Sequence, residues 1–363
     1  MRIKGKPMAR QRINSLQGLR AIAFLAIFIS HAGLGNYGCL GAWGVSVFFL
    51  LSGFLMTLSQ LNKEDDPQFS FGFAWNRIRS LYPLHFITML LAAVYAAYCG
   101  QHLLKVCLDI VIHSLLIQMW IPHTQFYTTL NGPAWYLCTS FFLYLCFPLI
   151  FKALRHCRRK GCRSIYRGFA LVTLLDGLLA AVCYRCAPQD GWAWFTTQWI
   201  VYYFPPVRLL DFTVGCLMGS LFHAKGMRRK SGRTKIGTVV AELAVCVTII
   251  VSWIVYANQY GIPGSQAFRF SLLFMPTSAA LIWLIARGEG ILSRVLENKV
   301  LVKVGDLSPY TFLIHGVAIK YCGVLFQYLN VNNRMAAAIA AFALTMIAAA
   351  VWTPFYEKLL QAQ

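Results

Sequence analysis

Long apolar runs separated by short basic clusters dominate this chain. The runs fall at 17–34, 42–60, 81–99, 104–121, 133–151, 165–184, 207–223, 236–257, 268–286, 307–329 and 335–356. A helix needs about 20 apolar residues to cross the hydrocarbon core of a bilayer, so each run predicts a candidate transmembrane helix. The clusters test the count, because cytoplasmic loops concentrate Lys and Arg. The arm with Arg2, Lys4, Lys6, Arg10 and Arg12 starts inside, and the uncharged loop 35–41 lies outside. Lys63, Arg77 and Arg79 bring the chain back inside, where Lys152, Arg155, Arg158 and Arg159 must also lie. An even number of crossings therefore separates those two clusters, yet three runs occupy the interval. The most polar, 104–121, carries Lys105, Asp109 and His113 and is read as a re-entrant or interfacial helix. Later basic groups, Arg228, Arg229, Lys230 and Arg233, then Arg287 and Lys299, follow in phase.

The expectation is an all-α integral membrane protein: a bundle of about ten transmembrane helices plus that one re-entrant or interfacial helix. It is multi-pass in a cell membrane, with both termini cytoplasmic. Residues 1–14 form a basic cytoplasmic arm. The apolar run after the arm leads straight into a second one, so it reads as a retained span and not as a cleaved signal. A single membrane-embedded domain over 1–363 is expected, with no soluble extracytoplasmic domain. The longest stretch between runs, 185–206, holds Trp192, Trp194, Trp199, Tyr202 and Tyr203, the residue types that line membrane interfaces.

Composition agrees. Hydrophobic residues make up 58% and charged residues 12% of the chain, too few polar groups to cover a soluble domain of this size. The net charge of +21 sits between apolar runs, which suits anionic lipid headgroups and argues against nucleic acid as a partner. Cys183 and Cys186 form a lone C-x-x-C with no second pair at zinc-binding spacing, so no metal is expected. A disulfide between them stays open.

Charges inside spans are costly and mark candidate functional positions. Arg20 and His31 lie in the first run, eleven residues apart. That separation is about 16 Å of helical rise, and it returns the second side chain to within about 20° of the first. One face of one helix thus carries both, Arg20 near the cytoplasmic end and His31 near the outer end. The alternative is that Arg20 snorkels to headgroups and His31 bonds a neighbouring helix. His315 lies in the run 307–329, and histidine is the usual proton carrier near neutral pH. Arg208 and Asp211, at i and i+3, are spaced for an ion pair, structural or acceptor-holding. Arg77 and Arg79 precede Tyr82-Pro83 and are either ordinary cytoplasmic charge or an anion grip.

Several blocks built from these residues resemble the membrane acyltransferase family 3. Leu16-Gln17-Gly18-Leu19-Arg20, closing on His31, resembles its opening Arg–His pair. Gly44-Val45-Ser46-Val47-Phe48-Phe49-Leu50-Leu51-Ser52-Gly53-Phe54 resembles its G-V-x-x-F-F-x-L-S-G-F block. Arg77 with Tyr82-Pro83, Arg208 to Phe212, Ser308 to His315, and Pro354 to Lys358 resemble further segments in family order. Two departures stand out. Trp135-Tyr136-Leu137-Cys138-Thr139-Ser140 has Ser140 where many members have Glu, and Ser80 stands where an Arg is frequent.

The resemblance implies transfer of an acyl group, most often acetyl, from cytoplasmic acyl-CoA (acetyl-CoA) to a hydroxyl of an envelope glycan, polysaccharide or lipid-linked sugar. It implies His31 as general base or as nucleophile, the two left open. It assigns Arg20 to donor binding or oxyanion stabilisation. Arg77 and Arg79 fall to the donor, His315 to positioning the donor or relaying a proton, and Arg208, Asp211 and Trp135 to the acceptor. Competing readings are a multi-span transporter of a small polar or anionic solute, and a catalytically degenerate membrane scaffold. The chain lacks the internal echo between halves that many transporters carry.

Overall fold

The computed structural model describes residues 12–35, 37–61, 63, 67–186, 194–226, 234–258, 266–270 and 272–361. Arg2, Lys4, Lys6, Arg10, Trp192, Arg228, Arg229, Lys230 and Arg233 lie outside the described residues. Among the described residues all regular structure is helical, apart from one bridge between His123 and Trp194.

In chain order the helices are α1 (Asn14–His31), α2 (Gly38–Leu61), α3 (Phe71–Ile78), α4 (Tyr82–Tyr98), α5 (Leu103–Ser114) and the short α6 (Thr124–Tyr127). A tight turn, Gly132–Ala134, leads into α7 (Trp135–Arg159), followed by α8 (Cys162–Cys186), α9 (Pro205–Ala224) and α10 (Ile236–Asn258). The chain closes with α11 (Gln266–Arg269), α12 (Met275–Arg287), α13 (Ile291–Val295), α14 (Lys299–Tyr328) and α15 (Arg334–Gln361).

Seven of these elements are long and apolar enough to cross a membrane: α2, α7 with its lead-in turn, α8, α9, α10, α14 and α15. The pair α3 and α4, bent by 67°, makes an eighth if it is one span. The protein is therefore a multi-pass membrane protein. Length and composition support seven or eight crossings among the described residues, against the expected ten. The difference lies at two places. Helix α1 has only 18 residues and includes Arg20, and the run 268–286 divides into α11 and the 13-residue α12. Helix α5 has 12 residues, or about 18 Å, too short to cross, in line with setting 104–121 apart. The expected loop 61–80 instead contains α3. Ser70 starts it by accepting a hydrogen bond from the Phe73 amide at 3.1 Å. Pro83 occupies the first turn of α4, where a missing N–H is harmless.

Burial sorts the bundle into centre and rim. The apolar stretch of α2 is 83% buried, against 22% for α8, α10 and α15. The rim helices turn residues such as Leu171, Val240 and Ile347 outward, as a lipid-facing surface requires. At the centre, α2 and α9 touch backbone to backbone. A Cβ at Gly53 would lie 2.1 Å from the Phe212 carbonyl oxygen, and one at Gly215 would lie 2.1 Å from that of Leu50. Small residues at such crossings permit close packing where no hydrophobic drive assembles helices. Gly305 does the same for α14 against α1, at Gln17. Arg12 and Asp306 form an ion pair near this contact. Helices α1, α2, α9 and α14 thus form the frame into which the charged residues project.

Candidate active site between two cavities

Helix α14 prepares the site through a local repair. Pro309 lacks the N–H that would bond the Gly305 carbonyl four residues earlier. The Ser308 hydroxyl donates to that carbonyl instead, at 2.7 Å. The helix continues one and a half turns to His315, which is fully buried.

His315 meets His31 across the α1–α14 contact. Nδ1 of His31 and Nε2 of His315 lie 2.9 Å apart, with ring planes within 9° of one another. Nδ1 of His315 lies 3.2 Å from the Thr311 carbonyl. A carbonyl only accepts, so His315 carries its proton on Nδ1 and, when neutral, offers Nε2 as an acceptor. His31 must then donate from Nδ1, which leaves Nε2 of His31 as a bare lone pair. The tautomer of His31 follows from the hydrogen bond made by its other nitrogen, the usual way a protein prepares a histidine base.

Two cavities flank this pair. One of about 340 Å³ is lined by Arg20, Arg77, Tyr136, Tyr144, Tyr310 and five serines, at 52, 59, 80, 140 and 308. Ser52 and Tyr144 share a hydrogen bond of 3.0 Å, whereas Arg20 Nε and Ser140 Oγ are buried without a partner. Among the described residues no carboxylate forms an ion pair with Arg20. The other cavity, of about 370 Å³, is lined by His31, Tyr127, Thr128, Trp135, Tyr203 and Lys320, with Gly132, Pro133, Gly316 and Ile319.

Arg20 and His31 lie along one face of α1, as their spacing predicts, but they open into different cavities. The reason for the separation is steric. Phe48, Tyr136 and Phe312 come from three helices and close on one another with ring centres 5.0–6.0 Å apart. All three also line the Arg20 cavity. Phe312 packs edge-on against His315 at 5.6 Å, and Tyr136 adjoins Trp135, which lines the His31 cavity. A layer of rings therefore stands between the guanidinium and the imidazole pair.

The remaining sequence-predicted residues divide. Arg77 lines the Arg20 cavity, and its guanidinium stacks 5.2 Å from the Phe73 ring centre. Arg79 is exposed and lines neither cavity, while its carbonyl accepts from Tyr356 at 3.1 Å. His315, expected to position the donor or relay a proton, pairs with His31 and lines neither cavity. Trp135 lines the His31 cavity. Arg208 and Asp211 are an ion pair at 2.6 Å. Arg208 also donates to the Tyr202 carbonyl at 2.7 Å and the Phe270 carbonyl at 3.2 Å. All three guanidinium nitrogens are engaged, and neither residue lines the Arg20 cavity or the His31 cavity. That geometry matches a clamp tying α9 to the segments around Tyr202 and Phe270.

Sequence reading passed over Lys320, although a lysine within an apolar run is itself a signal. Tyr127 and Tyr203 had no such signal, because only folding brings them together. The unassigned His85 and His113 bond the carbonyls of His113 and Phe126, each at 3.1 Å, and stitch α4, α5 and α6 together.

Comparison with known proteins agrees with the blocks quoted above. A family model described as an acyltransferase domain, Acyl_transf_3, matches residues 13–353. Acyltransferase MdmB of Streptomyces mycarofaciens is 27% identical over 94% of this chain and 88% of its own length. Peptidoglycan O-acetyltransferase OatA of Listeria monocytogenes is 22% identical over 85% of this chain, but the chain spans only 49% of that relative. No solved structure matches the chain. With nearly its whole length matched, this chain belongs to the acyltransferase 3 family.

Proposed function

We propose that the protein transfers an acyl group, acetyl in the simplest case, from cytoplasmic acyl-CoA to a hydroxyl of a glycan or glycoside on the other side of a cell membrane. Both termini are cytoplasmic in this reading, so the Arg20 cavity faces the cytoplasm and the His31 cavity faces outward. The single observation that carries it is the 2.9 Å contact between Nδ1 of His31 and Nε2 of His315, at the wall of the cavity that His31 lines.

The Arg20 cavity suits the donor. Two guanidiniums favour the phosphates of CoA, and serine hydroxyls can bond the amides of its arm. The His31 cavity suits a sugar, with aromatic faces for its apolar side and hydroxyls for its polar side. In the base mechanism, Nε2 of His31 takes the proton of the acceptor hydroxyl while its oxygen attacks the thioester carbonyl. The C–S bond breaks, an ester C–O bond forms, and the proton passes to the departing thiolate. In the nucleophile mechanism Nε2 attacks the thioester carbonyl and the C–S bond breaks to release the thiolate. The acceptor hydroxyl then displaces the imidazole to form the ester C–O bond, and its proton ends on the thiolate. Either route requires the ring layer of Phe48, Tyr136 and Phe312 to part around the thioester. Arg20 then either holds the donor or offsets charge on the carbonyl oxygen. The glycan acceptor is supported by the similarity to the Listeria peptidoglycan O-acetyltransferase, and family membership favours this chemistry over transport or a scaffold role.

Mass spectrometry of envelope glycans from cells with and without the protein tests the reading. The expected result is a gain of one acetyl group on a glycan, absent with His31→Ala at equal expression. Unchanged glycans together with failure of purified protein to bind acetyl-CoA reject it.

A further inference from the structure

Lys320 is a cation that the proposed chemistry leaves without a task. It lies on α14 five residues beyond His315, about 7.5 Å further along the axis, and lines the same cavity as His31. An ammonium within an apolar helix is costly and calls for a reason. Its head donates to the Leu130 carbonyl and stands 5.3 Å from the Tyr95 ring centre. That carbonyl occupies one of three N–H donors. Among the described residues no carboxylate forms an ion pair with it. No Asp or Glu lines the cavity, so nothing in its wall balances the charge.

The aromatic part of the wall is already assembled without Lys320. Tyr203 packs on Tyr127 at 5.0 Å and on Trp135 at 5.1 Å between ring centres. A neutral sugar needs only such rings and hydroxyls. We infer that Lys320 selects an acceptor bearing an anionic group, carboxylate or phosphate, about one sugar ring away from the hydroxyl presented to His31. The inference rests on the proposed acyl transfer and deepens it by naming the acceptor class. The rival role is purely structural: Lys320 pins the segment at Leu130, whose backbone has a positive φ of 47°.

The test uses the full chain in nanodiscs with three probes: methyl glucuronoside, glucose 1-phosphate and the neutral methyl glucoside. Thermal stabilisation by each probe is measured without donor, and acetyl transfer with acetyl-CoA. For wild type, kcat/KM is expected to favour at least one charged probe by about 10- to 100-fold, the range of a charge-assisted hydrogen bond. The preference lies in KM. Lys320→Gln collapses that ratio towards one and abolishes stabilisation by the charged probe, whereas Lys320→Arg keeps most of both. Whether the carboxylate or the phosphate probe responds identifies the source of the charge. Equal losses for charged and neutral probes assign Lys320 to the structural role and overturn the inference. So does a wild type that neither binds nor prefers either charged probe. Charge-dependent binding without any acetyl transfer sinks the transfer reading and leaves the anion site standing.

Discussion

The two cavities are close in size and opposite in character. The Arg20 side is walled by serine and tyrosine hydroxyls around two guanidiniums. The His31 side is walled by stacked rings with one imidazole and one ammonium. Both are basic, but they spread charge differently. Planar guanidiniums can grip several phosphate oxygens at once, whereas one ammonium is a point charge that suits a single anionic group. The difference teaches that one bundle can hold two recognition surfaces if bulky rings keep them apart. The histidine pair adjoins both sides, through Phe312 on one and directly on the other.

Substitutions can break or sharpen that contrast. The largest effect is expected from His31→Ala, a loss of about 10²- to 10⁴-fold in kcat, read as acetyl transfer by purified, folded protein. A rate within about threefold of wild type would remove His31 from the chemistry. His315→Leu comes next, because His31 loses the acceptor that fixes its proton on Nδ1. A loss of about 10²-fold is expected, with His315→Gln, whose side-chain oxygen can accept, recovering part of it. Equal loss in both would make His315 a packing residue. Arg77→Ala is expected to raise the KM for acetyl-CoA by about 10-fold with the acceptor KM left in place. A rise confined to the acceptor would reverse the assignment of the two cavities. The smallest effect on turnover per folded molecule is expected from Arg208→Met, which leaves Asp211 buried and unpaired. Its signature is stability, with about 3–5 kcal/mol lost, measured by thermal unfolding in detergent micelles. An acceptor KM that rises without loss of stability would return Arg208 to the ligand.

The sequence made much of the frame legible, because membrane crossing demands long apolar runs and close helix contact demands small residues. Gly53 and Ser52 of the second-helix block prove to be packing and cavity residues respectively. The spacing of Arg208 and Asp211 predicted their ion pair, but not that the pair lines neither of these two cavities. Pairing of His31 with His315 was not legible, since 284 residues separate them and no periodicity links two helices so far apart. The ring layer was equally hidden. It depends on how three side chains from α2, α7 and α14 turn towards one another, which no single-helix pattern records. The reduced span count has a plainer origin: Arg20 shortens the apolar stretch of α1, and what reads as one continuous run, 268–286, is divided between α11 and α12.

The closed stack of Phe48, Tyr136 and Phe312 also bears on the electrical life of the membrane. A protein that joins reagents from opposite faces risks becoming a conduit for protons and ions. In the proposed transfer, the mutual contact of these three rings closes the way between the two cavities, so a guest has to displace them to pass. Such a seal would let the gradient across the bilayer be kept while an acyl group crosses it.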